Sequence, residues 1–465
     1  MNDLVVTEPQ PPKRKRRGPR GRGLIPVGGE PALRERPDRD ILSLPPPDAP
    51  AAPRLWRPGI FGVLDIGSTK MTCLIGRGEA DGSLRVLGYG WRRSRGIRNG
   101  AVVDLREAEQ AIRATVGQAE EAADKRLDEV TVNLSCGQPE SRLFNVRMPI
   151  GGREVTAQDV ARTIAEGQAR AHTEGRSVIH TLPVGFSVDQ TSGIVDPRGH
   201  LCEHLSGHLH VVDAATTALR TLDSVLARAE LKLAGLVSSP LASGLAVLEE
   251  DERELGATVV EMGGGTTSIA VFGEGLLLHT AHLPVGGLHV TNDLARLLST
   301  SRENAERLKT VYGSTEVAPM EELELLPLQM IGEHGDAMTR VSRARLVSAI
   351  RPRVEETLEL VRDRLDGAGL GRAGRSRVVL TGGASLLDGI GPLATRILDR
   401  PVRFGRPMHV SGLPEVSSAA AGFSTAAGLL AWAAGADRAF RSVDMPETRS
   451  GGFLKHVIHF IRNHV

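Results

Sequence analysis

Residues 63–75 read VLDIGSTKMTCLI and residues 259–271 read VVEMGGGTTSIAV. In each, an apolar run ends in an acid, one apolar residue and a turn of small residues follow, and a second apolar run resumes. This repeat constrains the fold more than any other feature, because it makes the chain a duplication of strand, tight turn and returning strand. The turns are nearly bare. Ordering glycine costs more entropy than ordering any other residue, so Gly263, Gly264 and Gly265 in a row imply a close neighbour for the backbone. Successive N–H groups in such turns converge on an anion, and a phosphate chain is the leading candidate. Two facing hairpins would clamp it from both sides, with Asp65 and Glu261 placed for a hydrated Mg²⁺, which prefers oxygen ligands and keeps its waters. Lys70 would then reach a phosphate directly.

A third element supports the same reading. VVLTGGASLLDGI, residues 378–390, is an apolar strand, the step Gly382–Gly383 and a helix start, where a flat ring or a phosphate can approach backbone N–H groups. The chain holds no G-x-x-x-x-G-K-[ST], so these elements are not a P-loop.

Between the repeats, short apolar strands alternate with helical patterns from Phe61 onward, the signature of an α/β protein. VVDLREAEQAIRATVGQAEEAA predicts an amphipathic helix capped by Asp104, and EVTVNLS predicts a strand carrying Val130, Val132 and Leu134. Residues 137–215 interrupt the alternation with strands flanking one helix near Asp159–Ala171 and read as an insertion. At 465 residues the chain is too long for one core. Residues 1–57, rich in Pro, Arg and Gly, read as a disordered tail whose basic run is Lys13–Arg17.

Lysine plus arginine number 57 against 56 for aspartate plus glutamate, so the overall charge does not point to nucleic acid. Three widely spaced cysteines argue for a reducing, cytosolic compartment, and the N-terminus lacks the apolar segment of a signal peptide. The run Phe423–Ala436 is too short and too polar to span a bilayer and predicts a buried helix. HLCEHLSGHLH, residues 200–210, holds four histidines and a cysteine, but their alternation on either side of a Ser-Gly turn predicts surface strand histidines rather than a zinc site. The final GGFLKHVIHFIRNHV puts Phe453, Leu454, Val457, Ile458, Phe460 and Ile461 on one helical face and cations on the other, behind the linker 441–450. Such a helix suits an anionic membrane surface.

The two hairpins and the Gly-Gly motif resemble the actin and sugar-kinase superfamily. Within it GAVVDLREAEQAI, GIVDPRGHLCEHLSGHLHVV, LASGLAVLEEDERELG, LPVGGLHVTNDLARLLSTSRENAERLK and RPRVEETLELVRDRL resemble the FtsA family of bacterial cell-division proteins, in the expected order over about residues 58–440. The resemblance implies an α/β, actin-like two-lobed ATPase fold with duplicated ribonuclease-H-like cores. The first lobe would comprise 58–136, 216–245 and about 417–440; the second 246–289 and about 351–416, with a small subdomain at 290–350. Residues 137–215 would be the FtsA-type inserted subdomain, and 451–465 the membrane-targeting helix.

For the site, the resemblance implies that Gly67, Ser68, Thr69 and Lys70, with Gly263, Gly264, Gly265, Thr266 and Thr267, hold phosphates. Gly286 and Gly287 lie at the cleft; Glu306 and Lys309 contact ribose and adenine; Gly382, Gly383 and Ala384 cover the nucleotide's other side. Asp65 and Glu261 hold Mg²⁺ through water. Two departures bear on turnover: Glu261 replaces a common Asp, and Ser268 stands where an Asp often follows the threonines. A carboxylate displaced by about an ångström costs on the order of a hundredfold in rate, so ATP binding with weak or absent hydrolysis is expected.

The implied function is an ATP-binding protein that polymerises head to tail beneath the cytoplasmic membrane and anchors the FtsZ ring at the division site, alongside other division proteins. The FtsZ C-terminal peptide would dock near Arg296, Arg302, Arg307, Arg343 and Arg345. The alternative is a soluble small-molecule kinase or polyphosphatase on the same fold, which leaves the C-terminal amphipathic segment unexplained.

Overall fold

The computed structural model describes residues 58–79, 83–317, 324–332, 339–370, 377–414 and 420–435. The tail 1–57, the linker 441–450 and the amphipathic segment 451–465 lie outside the described residues.

The repeat of the hairpins extends to whole sheets. β1 (Gly59–Ile66), β2 (Lys70–Gly78) and β3 (Leu84–Arg93) form an antiparallel meander, and β4 (Glu129–Leu134) and β5 (Lys232–Ser238) continue it in parallel on the far side of β1. Apart from a two-residue edge strand, Val410–Ser411, that runs parallel to β3 in the first sheet, the second sheet has the same order and directions: β6 (Ala257–Met262), β7 (Thr267–Gly273) and β8 (Leu276–Leu283) meander, and β9 (Arg377–Thr381) and β10 (Val402–Phe404) run parallel to β6. Asp65 pairs across its hairpin with Thr72, and Glu261 pairs with Ser268 at the matching place. The two acids are thus equivalent by register.

Helices cover both sheets. α1 (Leu105–Ala123) starts where Asp104 accepts a hydrogen bond from the Glu107 N–H, 2.9 Å, and buries Ala108, Ile112, Thr115 and Ala119 at helical spacing. α2 (Thr216–Arg228) packs beside it over the first sheet; α3 (Ser239–Val247) follows β5. In the second half α4 (Gly287–Leu297), α5 (Arg302–Tyr312), α6 (Arg343–Gly367) and α7 (Ile390–Leu398) share one core with β6–β9. α8 (Ser424–Ala433) comes last and fulfils the buried helix expected from Phe423–Ala436, with residues 424–431 buried. None of the helices among the described residues is long and apolar enough to cross a membrane.

α3 and α8 join the halves. A third core places Val63 and Leu74 of the first sheet, Val259 and Phe272 of the second, and Leu241, Leu245, Leu429 and Leu430 of these helices together. The helices cross so closely that a Cβ on Gly428 would lie 1.6 Å from the Ala242 carbonyl oxygen. Only hydrogen fits there.

Between β4 and α2 stands the inserted sheet, with strands Glu140–Glu154, Leu201–Ala215, Arg176–Val188 and Thr191–Ile194 in that spatial order and the helix Ala157–Arg170 against it. Here the reading of HLCEHLSGHLH needs correction. No turn separates the histidines: Ser206 and Gly207 lie within the strand Leu201–Ala215, and Gly207 is bare because a Cβ would stand 2.8 Å from Thr163 of the covering helix. A bulge between Cys202 and His204 breaks the alternation, Cys202 is buried, and His210 is wholly buried. His200 is exposed and His204 and His208 are half-buried, so only His210 departs wholly from the surface. Among the described residues no group of three or more His, Cys, Asp or Glu side chains is arranged to hold a metal.

Candidate functional site

The two hairpin turns face each other across a cavity of ≈ 550 Å³. Asp65, Gly67, Ser68, Thr69 and Lys70 line it from the first half; Glu261, Gly263, Gly264, Gly265 and Thr266 line it from the second. Gly286, Gly287, Glu306, Lys309, Gly382, Gly383 and Ala384 also line it. Thr267 does not belong with them: its side chain is buried and its hydroxyl donates to the Val285 carbonyl, 2.8 Å, holding the hairpin rather than facing the cavity.

Each glycine has its own cause. A Cβ on Gly264 would lie 2.3 Å from Thr69 Cγ2, and one on Gly265 2.4 Å from Ser68 Oγ. The close neighbour that the glycine run calls for is therefore, in the first place, the other hairpin. Gly382, at φ +86°, adopts the left-handed backbone that glycine tolerates and presses on the Met262 backbone. Gly383 is different. Nothing lies within 4 Å of its would-be Cβ and its φ is ordinary, so no packing in the protein demands a glycine there. Its missing side chain leaves room in the cavity.

Backbone groups lock the walls. Ser68 Oγ accepts from the Gly100 N–H at 3.0 Å, and Asn133 Oδ1 accepts from the Ile66 N–H at 2.7 Å. The first N–H groups of α4 are spent on the second hairpin, Gly287 donating to Gly263 O at 3.0 Å and Leu288 to Gly264 O at 2.7 Å. The Gly-Gly motif opens a short 3₁₀ turn, Gly383–Leu386, and the α-helix begins only at Ile390. The helix N-terminus expected beside these glycines is displaced along the chain.

Charge in the cavity is unbalanced. Burial raises Asp65 to about 6, partly offset by the Lys70 charge, and raises Glu261 to about 7 against a hydrogen bond from Thr425, with the Asp65 charge adding to the rise. One oxygen of Glu261, Oε2, is buried without a hydrogen-bond partner. Lys70 relieves Asp65 only in part, through its charge, and its hydrogen bond goes elsewhere. Its ammonium, lowered to about 8 by burial, donates to the Gly422 carbonyl at 2.6 Å and sits 3.6 Å from the centre of the Phe423 ring, so the expected direct reach to a phosphate requires it to leave these partners. On the opposite wall Lys309 donates to Glu306 at 2.8 Å, to the Gly287 carbonyl at 3.1 Å and to Thr291 at 2.9 Å. Glu306 and Lys309 are both an ion pair and part of the wall.

Several lining residues escaped the sequence reading: Asn133, Ser239, Gly422 and Thr425. Asn133 had a signal, a lone amide in the apolar strand EVTVNLS. Gly422 and Thr425 had none, because their role arises where the 3₁₀ turn Ala420–Phe423 and α8 meet both hairpins. Among the arginines, Arg343 is half-buried, paired with Glu324 at 3.0 Å, and lines the cavity, whereas Arg296, Arg302, Arg307 and Arg345 are exposed.

The family model described as "Cell division protein FtsA" matches residues 258–428, which hold the second hairpin and the Gly-Gly motif, and that described as "SHS2 domain inserted in FTSA" matches residues 137–213. The cell division protein FtsA of Agrobacterium fabrum is 43% identical over 393 residues, covering 82% of this chain and 88% of that protein. The chain belongs to the FtsA family. More distant members agree: FtsA of Pseudomonas aeruginosa is 34% identical over 79% of this chain and 87% of its own length, and that of Escherichia coli K12 is 32% identical over 79% and 88%. Among solved structures, the PilM-PilN type IV pilus biogenesis complex superposes with a TM-score of 0.58 at 18% identity, covering 80% of this chain and 98% of that chain, a likeness of fold alone. Membership and architecture together make this an actin-like cell-division protein carrying the inserted subdomain of FtsA.

Proposed function

We propose that the cavity binds ATP with Mg²⁺, and that the nucleotide-bound protein polymerises head to tail at the division site, tethering FtsZ to the cytoplasmic membrane. The observation that carries the nucleotide reading is the cavity itself: two equivalent hairpins face each other across it, and Gly383 is bare toward it without any packing reason. The hairpin turns and the residues of the opposite wall would take the phosphates and the nucleoside, with Thr267 excluded. A hydrated Mg²⁺, when bound, neutralises phosphate charge; Asp65 and Glu261 would hold it through its waters. The donor set fits. Two buried carboxylates lie on the cavity wall, one oxygen of Glu261 lacks any partner, and Lys70 is engaged elsewhere.

Assembly and attachment extend this reading. Closure around nucleotide would bring the halves into a state with complementary head and tail surfaces, which generate open filaments. The lobe and subdomain limits expected from the sequence, including the subdomain at 290–350 as the dock for the FtsZ peptide, belong to the same proposal, as does residues 451–465 as the anchor to anionic lipid. The exposed Arg296, Arg302, Arg307 and Arg345 suit an acidic peptide; Arg343, already paired, does not.

Gly383→Val tests the nucleotide reading. It adds a branched side chain to open cavity space, so ATP affinity by calorimetry should fall at least about a hundredfold while the melting temperature stays near that of the parent protein. Unchanged affinity removes nucleotide from this cavity.

A further inference from the structure

Glu261 is gripped by a residue from the far end of the chain. Thr425, in the first turn of α8, donates its hydroxyl proton to Glu261 Oε1, and Ser243 Oγ of α3 stands 3.1 Å from Thr425 Oγ1. A hydroxyl has one proton to give. With Thr425 donating to the carboxylate, a bond between the two hydroxyls runs from Ser243 to Thr425, and Ser243 also acts on Glu261 itself, lowering its pKa by hydrogen bonding, so both hydroxyls bear on the carboxylate. All three residues are buried or nearly so, so water does not compete for these bonds. The opposite carboxylate oxygen, Oε2, is left buried and unpartnered on a residue that lines the cavity.

We infer that Thr425, supported by Ser243, is a positioning residue for the divalent cation that accompanies the nucleotide: it fixes one oxygen of Glu261 so that the other is presented to the cation's water shell. The inference rests on the nucleotide reading above. It follows from the crossing of α3 and α8, because Ser243 adjoins Ala242, whose carbonyl meets Gly428, and Thr425 lies one turn before Gly428. The crossing that joins the halves also brings the two hydroxyls to the carboxylate. Glutamate carries one more rotatable bond than aspartate, and the hydroxyl restrains that freedom. Groups that orient metal-binding carboxylates commonly change metal affinity by 10- to 100-fold when lost.

The test uses the full chain and Mn²⁺ as a paramagnetic probe, titrated by electron paramagnetic resonance in saturating ADP, with ADP affinity in EDTA measured separately. Thr425→Val keeps the shape and removes the hydroxyl; it should weaken Mn²⁺ binding about tenfold or more while ADP affinity in EDTA stays within about twofold. Thr425→Ser should restore Mn²⁺ binding, which a role in packing alone does not foresee. Should Thr425→Val fail to fold, Ser243→Ala carries the same test with a smaller loss of about threefold. Parent-like Mn²⁺ affinity in the variant overturns the inference and leaves the nucleotide reading standing. A parent protein that binds no ADP overturns both.

Discussion

His210 carries no partner on either ring nitrogen although it is fully buried, and burial, with the His279 and His180 charges adding, pushes it down to about 3. His180 and His282 are likewise pushed to about 4 by burial, though His180 Nε2 accepts from the Ser238 N–H at 3.0 Å and His282 pairs with Ser268 at 3.0 Å. All three lie below the ordinary 6.5, so between pH 6.5 and about 4 the unfolded chain binds more protons than the folded one. Their contribution to stability is therefore complete above pH 6.5 and is lost as pH falls through that window, at about 1.4 kcal/mol per pH unit for each histidine. His210→Phe replaces an unsatisfied polar ring by an apolar one. Urea denaturation at pH 7 and pH 5.5 should find that variant at least as stable as the parent at pH 7, with about a third of this histidine-dependent slope removed. A steeper slope in the variant would contradict the assignment. Nothing in HLCEHLSGHLH distinguishes His210 from its neighbours; its burial comes from strands that pair across the insertion.

At the scale of elements, the fold was most legible where the chain repeats itself. Two hairpin motifs were enough to foresee two similar halves, since strand periodicity and turn chemistry are local, and Asp104 and the apolar spacing of α1 announced that helix for the same reason. What stayed hidden was the pairing of distant segments: that the glycine run meets Ser68 and Thr69, that Lys70 rests on Phe423, and that Thr425 holds Glu261. The Gly-Gly motif was found but its helix misplaced, because a 3₁₀ turn and an α-helix start share the same residues in sequence. The α3–α8 crossing offers a sharp test of such a distant contact. Gly428→Ala forces the helices apart at the Ala242 carbonyl and should cost about 3 kcal/mol or more, read as a lower urea midpoint. Gly117→Ala is the control: it lies within α1 with nothing within 4 Å of its would-be Cβ, and should stabilise by about 0.5–1 kcal/mol. Equal midpoints for the two variants would remove the crossing as a constraint.

At the scale of the whole molecule, the proposed membrane attachment is assigned to residues 451–465 and not to a spanning helix: α8, the most apolar helix described, is buried between the sheets, and none of the described helices is long and apolar enough to cross a bilayer. Residues 451–465 have the composition for it: in a helix, the spacing of Phe453, Val457, Phe460 and Ile461 would put them on one face and Lys455 and Arg462 on the other. Each large side chain of such a face contributes roughly 1.5–3 kcal/mol when fully removed from water and less at an interface. Ile461→Glu loses that contribution and adds a charge that anionic lipid repels, so it should abolish flotation with anionic liposomes. Lys455→Ala keeps the apolar face and loses one cation; it should weaken binding modestly and reduce its sensitivity to salt, since screening acts on the charge alone. If Ile461→Glu floats as the parent does, the basic run Lys13–Arg17 is the remaining candidate anchor. Deleting residues 1–57 from that variant should then release it, and flotation that persists in the doubly altered protein would place the membrane contact on the described core itself.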